Sequence, residues 1–311
     1  MIALPLAAPA LAQTAAGGNA LRMILTQAPG SSNDMVGRII QDPVSAALRV
    51  PVVIENRPGA NGAVAVNALK AARNDGQTVL LTGVSQLAFN PHLFRNLPYD
   101  VQRDFTMIAP VTDTPFVLIA SRKSGITSLR ALVEAARTRD LSFSSAGIGN
   151  STHLAMEMLT DRAGVRMTHV PYPGTAQGVT AVLTGEVDAM IPTFGVAFPQ
   201  IQAGGVNALA VVAPQRMPQL PELPTQAEAG LDVPVMPGWF ALVGLAGMPA
   251  EAVSRLNAAV TGALADAGVR RRLDEQFLIP LQGSAAAMQD RLDHESRLWG
   301  DFIRGRQLTV Q

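Results

Sequence analysis

Residues 25–40 read Leu25-Thr26-Gln27-Ala28-Pro29-Gly30-Ser31-Ser32-Asn33-Asp34-Met35-Val36-Gly37-Arg38-Ile39-Ile40. The apolar run of residues 21–25 predicts a strand, small residues then break it, and apolar residues recur at helical spacing from Met35. A helix start leaves backbone N–H groups unpaired and carries partial positive charge. The sequence therefore predicts an anion site at this loop, and the alternative is a loop whose polar residues only cap the helix.

Composition limits the possible functions. The chain has 311 residues, of which 48% are hydrophobic and 15% charged, enough for two domains with their own cores. Lys plus Arg and Asp plus Glu both number 24, so there is no large basic field to hold nucleic acid, and we expect no nucleic-acid partner. The absence of Cys excludes disulfides, thiolate nucleophiles and Cys-ligated zinc.

The first residues have the features of an export signal. Residues 1–13 are apolar and contain Ala10-Leu11-Ala12, the small-x-small pattern of a secretory cleavage site, although a basic start is missing. We interpret residues 1–12 as a signal peptide remnant, and a disordered Ala-rich tail is the alternative. No other uncharged run reaches the roughly 20 residues that span a bilayer.

The strand, loop and helix pattern repeats along the chain. A strand at residues 51–55 leads through a Gly-rich loop into a helix from Ala63, and a strand at residues 78–81 leads into a polar loop. In the second half, the strand at residues 141–145 is followed by a second anion-type loop that opens a helix. Such alternation predicts mostly parallel sheets, with ligands outside the carboxyl ends of the strands.

The pattern also predicts the domain organisation. We place the crossing into a second domain at residues 121–125, and the strand at residues 239–245 returns the chain to the first domain. Domain I then covers residues 20–120 plus 238–311 and domain II covers residues 121–237, with a hinge near Ser121 and Met236. Two amphipathic C-terminal helices complete domain I, the last one capped by Ser284. Pro43 predicts a kink in the first helix near Ile39 and Ile40.

Signatures of catalysis are weak or missing. The run Gly147-Ile148-Gly149-Asn150-Ser151-Thr152 nearly matches a dinucleotide fingerprint, but Thr152 replaces the third glycine and no acidic residue ends the following strand. Phosphate-loop, zincin and nucleophile-elbow motifs do not occur. We predict no catalytic residue, no metal and no cofactor.

Two alternatives from other classes stay open. His153 and Glu157 lie one helical turn apart, and we interpret them as a structural or loop-orienting hydrogen bond. An α/β enzyme would use them as an acid–base pair instead. A ligand-sensing domain of a transcription regulator shares the expected architecture, but no basic DNA-binding helix-turn-helix precedes Leu21.

Several motifs occur together and in order. They include Gln27-Ala28-Pro29-Gly30-Ser31-Ser32-Asn33-Asp34, Glu55-Asn56-Arg57-Pro58-Gly59-Ala60-Asn61-Gly62, Ser145-Ala146-Gly147-Ile148-Gly149-Asn150-Ser151-Thr152-His153 and Leu223-Pro224-Thr225-Gln226-Ala227-Glu228-Ala229-Gly230. With them, residues 20–305 resemble the Bug-type (TctC-like) solute-binding proteins of tripartite tricarboxylate transporters. The resemblance implies a periplasmic, two-domain binding protein fold of type II, with a central, mostly parallel sheet flanked by helices in each domain. It also implies a hinge and a cleft between the domains.

The resemblance further implies a ligand and partners. We expect a small organic carboxylate (a di-, tri- or aromatic acid) to be held by backbone amides, small hydroxyls and ordered water. Membrane permease subunits of the transporter would receive it. We expect the protein to be a monomer.

Carried over position by position, the implied ligand site falls on two sets of loops. Domain I contributes Gln27, Ala28, Ser31, Ser32, Asn33, Ser85 and Gln86. Domain II contributes Ala146, Gly147, Asn150, Ser151, Thr152, Gly174, Thr175, Ala176 and Pro192. Asp34 matches an acidic position of the family, but a carboxylate would repel a bound anion, so we assign it to helix capping.

Some positions depart from the family pattern. Ser31 stands where the family usually has a second glycine, Thr152 where it has a histidine, and Ile191-Pro192 where it has Phe-Asp. Pro192 and Phe194 would make a more apolar wall, which favours an aromatic or longer-chain acid.

Overall fold

A computed structural model describes residues 20–231 and 238–309. The expected signal peptide remnant and the expected hinge residue Met236 lie outside the described residues. Within these two stretches, no helix has both the length and the apolar character needed to cross a membrane.

Strands and helices alternate through most of the chain. The strands are β1 Leu21–Leu25, β2 Val52–Asn56, β3 Thr78–Gly83, β4 Phe105–Thr114, β5 Phe116–Ser121, β6 Ser142–Ser145, β7 Thr168–Pro171, β8 Ala189–Met190, β9 Val206–Val212, β10 Gly238–Leu245 and β11 Ile279–Pro280. The helices are α1 Ser32–Leu48, α2 Ala63–Lys70, α3 Asn90–Leu93, α4 Val101–Asp104, α5 Leu129–Ala136, α6 Ser151–Ala163, α7 Thr175–Thr184, α8 Phe194–Gln202, α9 Ala250–Ala265, α10 Ala267–Asp274 and α11 Ala285–Gly305.

The first sheet has the strand order β11-β4-β10-β3-β1-β2. β1 pairs in parallel with β2 and β3, whereas β10 is antiparallel to β3 and β4, and β11 is antiparallel to β4. The strands β1 to β4 therefore share one direction. Because side chains alternate between the faces, Leu25 packs in the cluster with α1 and α9, and Ile24 packs in the cluster with α2 and α11.

The second sheet has the strand order β7-β6-β8-β5-β9. β6 is parallel to β7 and β8, and β5 is antiparallel to β8 and β9, so β5 alone opposes the common direction. Two sheets flanked by helices confirm the predicted α/β fold class, but both sheets are mixed rather than mostly parallel, because five of the nine strand pairings are antiparallel.

The chain passes from the first sheet to the second at Pro115. β4 ends at Thr114, and β5 begins at Phe116 and pairs with β8 and β9 of the second sheet. The sequence predicts that residues up to 120 belong to domain I. β5 instead belongs to the second sheet. β4 and β5 are both apolar runs, and nothing in their composition tells which sheet each one joins. We propose a domain boundary at Pro115.

Helix α6 packs against both domains. Its Met156 and Leu159 lie in the core of the second sheet, whereas Leu154 and Met158 lie in the cluster of the first domain that contains α11. Arg306, which follows α11, extends this contact with Nη2 3.4 Å from Glu157 Oε2 and Nη1 3.4 Å from Asp161 Oδ1. Each domain therefore buries one face of the same helix.

Helix α1 runs through Pro43 as one element, although the sequence predicts a kink near Ile39 and Ile40. Proline has no N–H, so the carbonyl of Ile39, four residues earlier, loses its helical donor. Arg272 of α10 supplies a replacement, because its Nη2 donates a hydrogen bond to the Ile39 carbonyl. This hydrogen bond also connects α10 to α1.

We predict that the hydrogen bond of Arg272 compensates for Pro43. Replacing Arg272 with Met should lower the free energy of unfolding by about 1–2 kcal/mol. In a Pro43→Ala background residue 43 has its own N–H, so the same replacement should change stability by less than about 0.5 kcal/mol. Urea denaturation of the four proteins measures both effects. Arg271→Met serves as the exposed control, and an equal penalty in both backgrounds would contradict the compensation.

Candidate functional site

The candidate site lies where the carboxyl edges of the two sheets meet. β4 leads through Pro115 directly into β5, and the start of β5 lies beside the end of β8, which is antiparallel to it. The loops after β1 and β3 therefore share one region with the loops after β6, β7 and β8. Crevices at the carboxyl ends of strands are the usual ligand sites of α/β folds.

The first loop, residues 26–31, is closed by reciprocal capping of α1. Ser31 Oγ accepts a hydrogen bond from the N–H of Asp34 at 3.3 Å, and Asp34 Oδ2 accepts one from the N–H of Gly30 at 2.9 Å. Burial raises the pKa of Asp34, but hydrogen bonds from Arg38, Gly30 and Asn56 outweigh it, and the pKa lies below its usual value. The capping role predicted for Asp34 is confirmed.

Asn33 supports the first loop from inside the domain. Its side chain is fully buried, its Oδ1 accepts from the N–H of Thr26 at 3.1 Å, and its Nδ2 donates to the carbonyl of Leu81 at 3.2 Å. The amide therefore joins the ends of β1 and β3. The side chain of Asn33 is therefore engaged within the domain, and the expected ligand contact of this residue stays a prediction.

Gln86 is also committed to the interior of the first domain. Its Oε1 accepts from Thr82 Oγ1 at 3.2 Å, and its Nε2 donates to the carbonyl of Asn61 at 3.1 Å. Asn61 (φ 46°) precedes Gly62 (φ 91°), where a Cβ would lie 2.5 Å from Gln86 Cγ. Gln86 thus holds the left-handed loop before α2, and its expected ligand contact stays a prediction.

The other predicted residues of domain I lie around the first loop. Gln27 is half-buried and its carbonyl accepts a hydrogen bond from Asn56 Nδ2 at 3.0 Å, whereas Ala28 is exposed. Ser31 and Ser32 are half-buried at the start of α1. Ser85 is buried in the helical turn that follows β3.

The second loop, residues 146–150, is organised by its own polar side chains. Asn150 caps α6, because its Oδ1 accepts from the N–H of Thr152 at 3.0 Å. Thr152 Oγ1 accepts from the N–H of Ala146 at 2.8 Å, which closes the loop, and Gly147 turns through a φ of 118°. Thr152 is buried, while Ala146, Gly147, Asn150 and Ser151 are half-buried.

Two histidines stack behind the second loop. The rings of His153 and His169 lie 3.9 Å apart between centroids, and Phe143 stacks on His169 at 4.9 Å. His153 Nδ1 accepts from the N–H of Gly149 at 3.2 Å, and His169 Nε2 lies 2.6 Å from Ser145 Oγ. The pair therefore fixes the conformation of the second loop.

The same packing keeps both imidazoles neutral. Burial, together with the charge that His169 would carry, lowers the pKa of His153 to about 3. Burial lowers the pKa of His169 to about 4. A neutral His153 fits the role of Nδ1 as a hydrogen-bond acceptor.

The interpretation of His153 with Glu157 is corrected in part. Nε2 of His153 lies 3.7 Å from Glu157 Oε1, which is too long for a hydrogen bond, and Glu157 faces Arg306. His153 does orient the loop, but it does so through Gly149. The geometry gives no support to an acid–base pair. Among the described residues, no group of three His, Cys, Asp or Glu side chains is placed to hold a metal ion.

The third loop, residues 172–174, leads into α7. Gly174 caps this helix without a side-chain hydrogen bond, so the first N–H groups of α7 depend on other partners. Thr175 at the helix start is half-buried, and Ala176 is exposed.

The expected apolar wall is corrected in part. Pro192 is buried after β8, and its carbonyl accepts from the N–H of Val117 at 3.1 Å. Phe194 is fully buried and packs on Phe198 and Phe277, with ring centroids 5.5 and 5.1 Å away. Phe194 therefore belongs to an aromatic cluster between α8 and the residues after α10.

Sequence reasoning missed the role of His169 and Ser145. The chain has four His residues, of which His153 lies in the first turn of the helix that follows β6, and His169 lies on β7, the strand that pairs with β6. The position of these two histidines beside two candidate loops was the sequence signal that could have predicted a role in supporting the loops. The stacking itself needs the pairing of β6 with β7, which the sequence does not show.

Two α/β domains that turn their loop-bearing edges toward one crossing form the architecture of two-domain solute-binding proteins, which ligand-sensing domains share. The sequence profile described as "Tripartite tricarboxylate transporter family receptor" (TctC) matches residues 36–308, and the chain belongs to this family. Protein BugT of Bordetella pertussis is 30% identical, over 91% of this chain and 88% of the relative. The profile describes a transport receptor and does not name an enzyme.

Solved structures agree with this assignment. R. palustris Rpa4515 with adipate is 29% identical with a TM-score of 0.85, over 91% of this chain and 96% of that chain. MatC (Rpa3494) from Rhodopseudomonas palustris with bound malate is 29% identical with a TM-score of 0.83, over 91% of this chain and 98% of that chain.

We predict that the histidine pair makes the protein sensitive to acid. The folded-state pKa values of His153 and His169, about 3 and about 4, lie below the ordinary 6.5. Between pH 4 and pH 6.5 the unfolded chain therefore binds more protons than the folded protein. The stability that the neutral pair contributes is complete above pH 6.5 and falls as the pH drops toward 4. The limiting slope is about 1.4 kcal/mol per pH unit per histidine, less where water reaches the ring.

Thermal unfolding of the wild type and of His153→Gln/His169→Gln between pH 4 and pH 8 tests this prediction. The double variant should lose less stability on acidification than the wild type. His294→Gln, at an exposed position on α11, is the control and should keep the wild-type slope. Parallel curves for the wild type and the double variant would contradict it.

Proposed function

We propose that this protein captures a small organic carboxylate between the two domains, in the periplasm, and delivers it to the membrane permease of a tripartite transporter. The observation that carries the proposal is the position of three helix N-termini, those of α1, α6 and α7, at the carboxyl ends of β1, β6 and β7, on the two sheet edges that Pro115 connects. Helix starts bind anions through free N–H groups and partial positive charge. Adipate and malate in the related structures support the same class of ligand.

The first two loops are suited to reversible binding. Capping by Ser31 and Asn150 holds each loop in one conformation before a ligand arrives, so little ordering is needed on binding. Arg38 of α1 is already hydrogen-bonded to Asp34, with 3.0 Å from its Nε to Oδ2, and Arg57 after β2 is paired with Glu55. The ligand would therefore meet dipoles and hydroxyls rather than a strong counter-ion. Such contacts permit release to the permease.

The residues proposed to contact the ligand are fewer than the sequence suggests. Asn33, Gln86 and Thr152 hold the loops through their side chains. The remaining polar candidates are the hydroxyls of Ser31, Ser32, Ser151 and Thr175, with the backbone N–H groups at the helix starts. We retain Pro192 as a candidate apolar contact, which would favour a longer or aromatic acid.

We predict that dicarboxylates stabilise the protein and that their amides do not. Ligand at about 100 times its Kd should add about 2.7 kcal/mol to the free energy of unfolding and raise Tm by several degrees. The screen compares adipate, malate and benzoate with adipamide, malamide and benzamide. A rise with an amide and with no acid would overturn the anion-binding proposal.

A substitution isolates the contribution of one helix start. Ser32 is the first residue of α1, where proline removes an N–H that has no helical acceptor and leaves the helix intact. Compared with Ser32→Ala, which removes only the hydroxyl, Ser32→Pro should weaken binding of the best acid by about 10-fold or more, because the charge-assisted hydrogen bond of the N–H is also lost. Calorimetric titration measures the change.

Ala285→Pro is the matched control, because Ala285 is the first residue of α11 and Ser284 caps that helix as Ser31 caps α1. Its affinity should stay at the wild-type value. Equal affinities of Ser32→Pro and the wild type would show that the start of α1 does not bind the acid.

A further inference from the structure

A basic groove lies at the end of α6 opposite the candidate ligand site. The groove has a volume of about 430 Å³ and is lined by Arg137 after α5, Asp161 and Arg166 at and after the end of α6, and Arg306 after α11. α6 begins at the second loop and has 13 residues, so the groove lies about 20 Å from the loop. It is separate from the site proposed above.

The charges of the groove are only partly compensated. Arg306 faces Asp161 and Glu157, each at 3.4 Å. Arg137 and Arg166 are exposed, and neither has a carboxylate within 4.0 Å in residues 20–231 and 238–309. Two cations are therefore available to an incoming group.

A larger cavity in the first domain differs in this respect. That cavity has a volume of about 680 Å³, and Lys70 lies 2.6 Å from Asp104 Oδ2 and Arg103 lies 3.0 Å from Asp100 Oδ2. Of its Lys and Arg residues, Arg95 alone has no carboxylate within 4.0 Å in the described part of the chain, against two such arginines in the groove. Its paired charges leave less attraction for an external anion. Charge complementarity therefore distinguishes the groove at α6.

We propose that the groove docks an acidic segment of a partner protein, one that carries at least two carboxylates. Its arginines are exposed, whereas a site for a small molecule buries most of the ligand. Exposed charges at an interface mainly set association rate and partner choice, which suits a transient contact. If the proposed transport function holds, the partner is the periplasmic face of the permease.

The geometry of the groove also depends on the arrangement of the two domains, because both domains contribute residues to its lining. Arg306 follows a helix of the first domain, whereas Arg137 and Arg166 belong to the second sheet's domain. A rotation of the domains would change the spacing between these guanidinium groups. A partner with fixed carboxylates would therefore bind one domain arrangement better than another, as a permease requires in order to recognise a loaded protein.

Nuclear magnetic resonance titration tests the docking surface without knowledge of the ligand. The probe is a capped hexapeptide of alternating Glu and Gly, and the same peptide with Gln replacing Glu is its neutral control. Amide shifts should cluster at residues 136–137, 160–166 and 306, and should weaken with salt. The Gln peptide should cause none of them.

Variants assign the effect to the two unpaired arginines. Arg137→Glu/Arg166→Glu should weaken peptide binding about 10-fold or more, and Arg137→Gln/Arg166→Gln gives the same test if charge reversal impairs folding. Arg255→Glu, on the exposed face of α9, is the control for each single reversal, Arg137→Glu or Arg166→Glu, because it changes the net charge by the same two units, and it should bind the peptide as the wild type does. Stabilisation of the double variants by the best acid should match that of the wild type.

Two results would overturn the proposal. Shifts outside the groove, or shifts unchanged in the double variants, would remove the groove as the docking surface. Equal shifts with acetate at the same carboxylate concentration would make it a small-anion site instead. Neither result bears on acid binding at the crossing, so failure here and failure of the proposed function are distinguishable.

Discussion

The direct passage of β4 into β5 through Pro115 is the constraint on which the structure depends. The carbonyl of Pro115 accepts from the N–H of Phe194 at 2.8 Å, and Phe116 bridges to Thr193, so the crossing is hydrogen-bonded to the end of β8. With so short a connection, the carboxyl edges of both sheets must lie side by side. Every loop that precedes a helix start at these edges then opens toward the same region, and a ligand site arises from topology before any side chain is specified.

Local structure was predictable because its signals are local. β1 occurs at the predicted residues 21–25, and Ser284 caps α11 as its side chain and the following apolar spacing predict. Features that depend on tertiary contacts were harder to predict from the sequence. The sheet to which β5 belongs depends on long-range pairing, and the donor to the Ile39 carbonyl, which Pro43 leaves without its helical N–H, is Arg272, far away in sequence.

The candidate site shows the same division between local and long-range information. Sequence motifs identify the loops, but they do not separate residues that face a ligand from residues that hold the loop. The side-chain amides of Asn33 and Gln86 form hydrogen bonds with backbone and hydroxyl groups of other segments of the first domain. The aromatic ring of Phe194 packs against Phe198 and Phe277. These partners come from other elements, so each role became visible only when the sheets were assembled.

The position of α6 between two cores has a consequence for folding cooperativity. Leu154 and Met158 complete the first domain, and Met156 and Leu159 complete the second, so unfolding of either domain exposes apolar surface on a helix that the other still holds. The two halves are therefore not independent folding units, even though each has its own sheet. Slow hydrogen exchange in α6 would report the stability of the whole molecule rather than that of one domain.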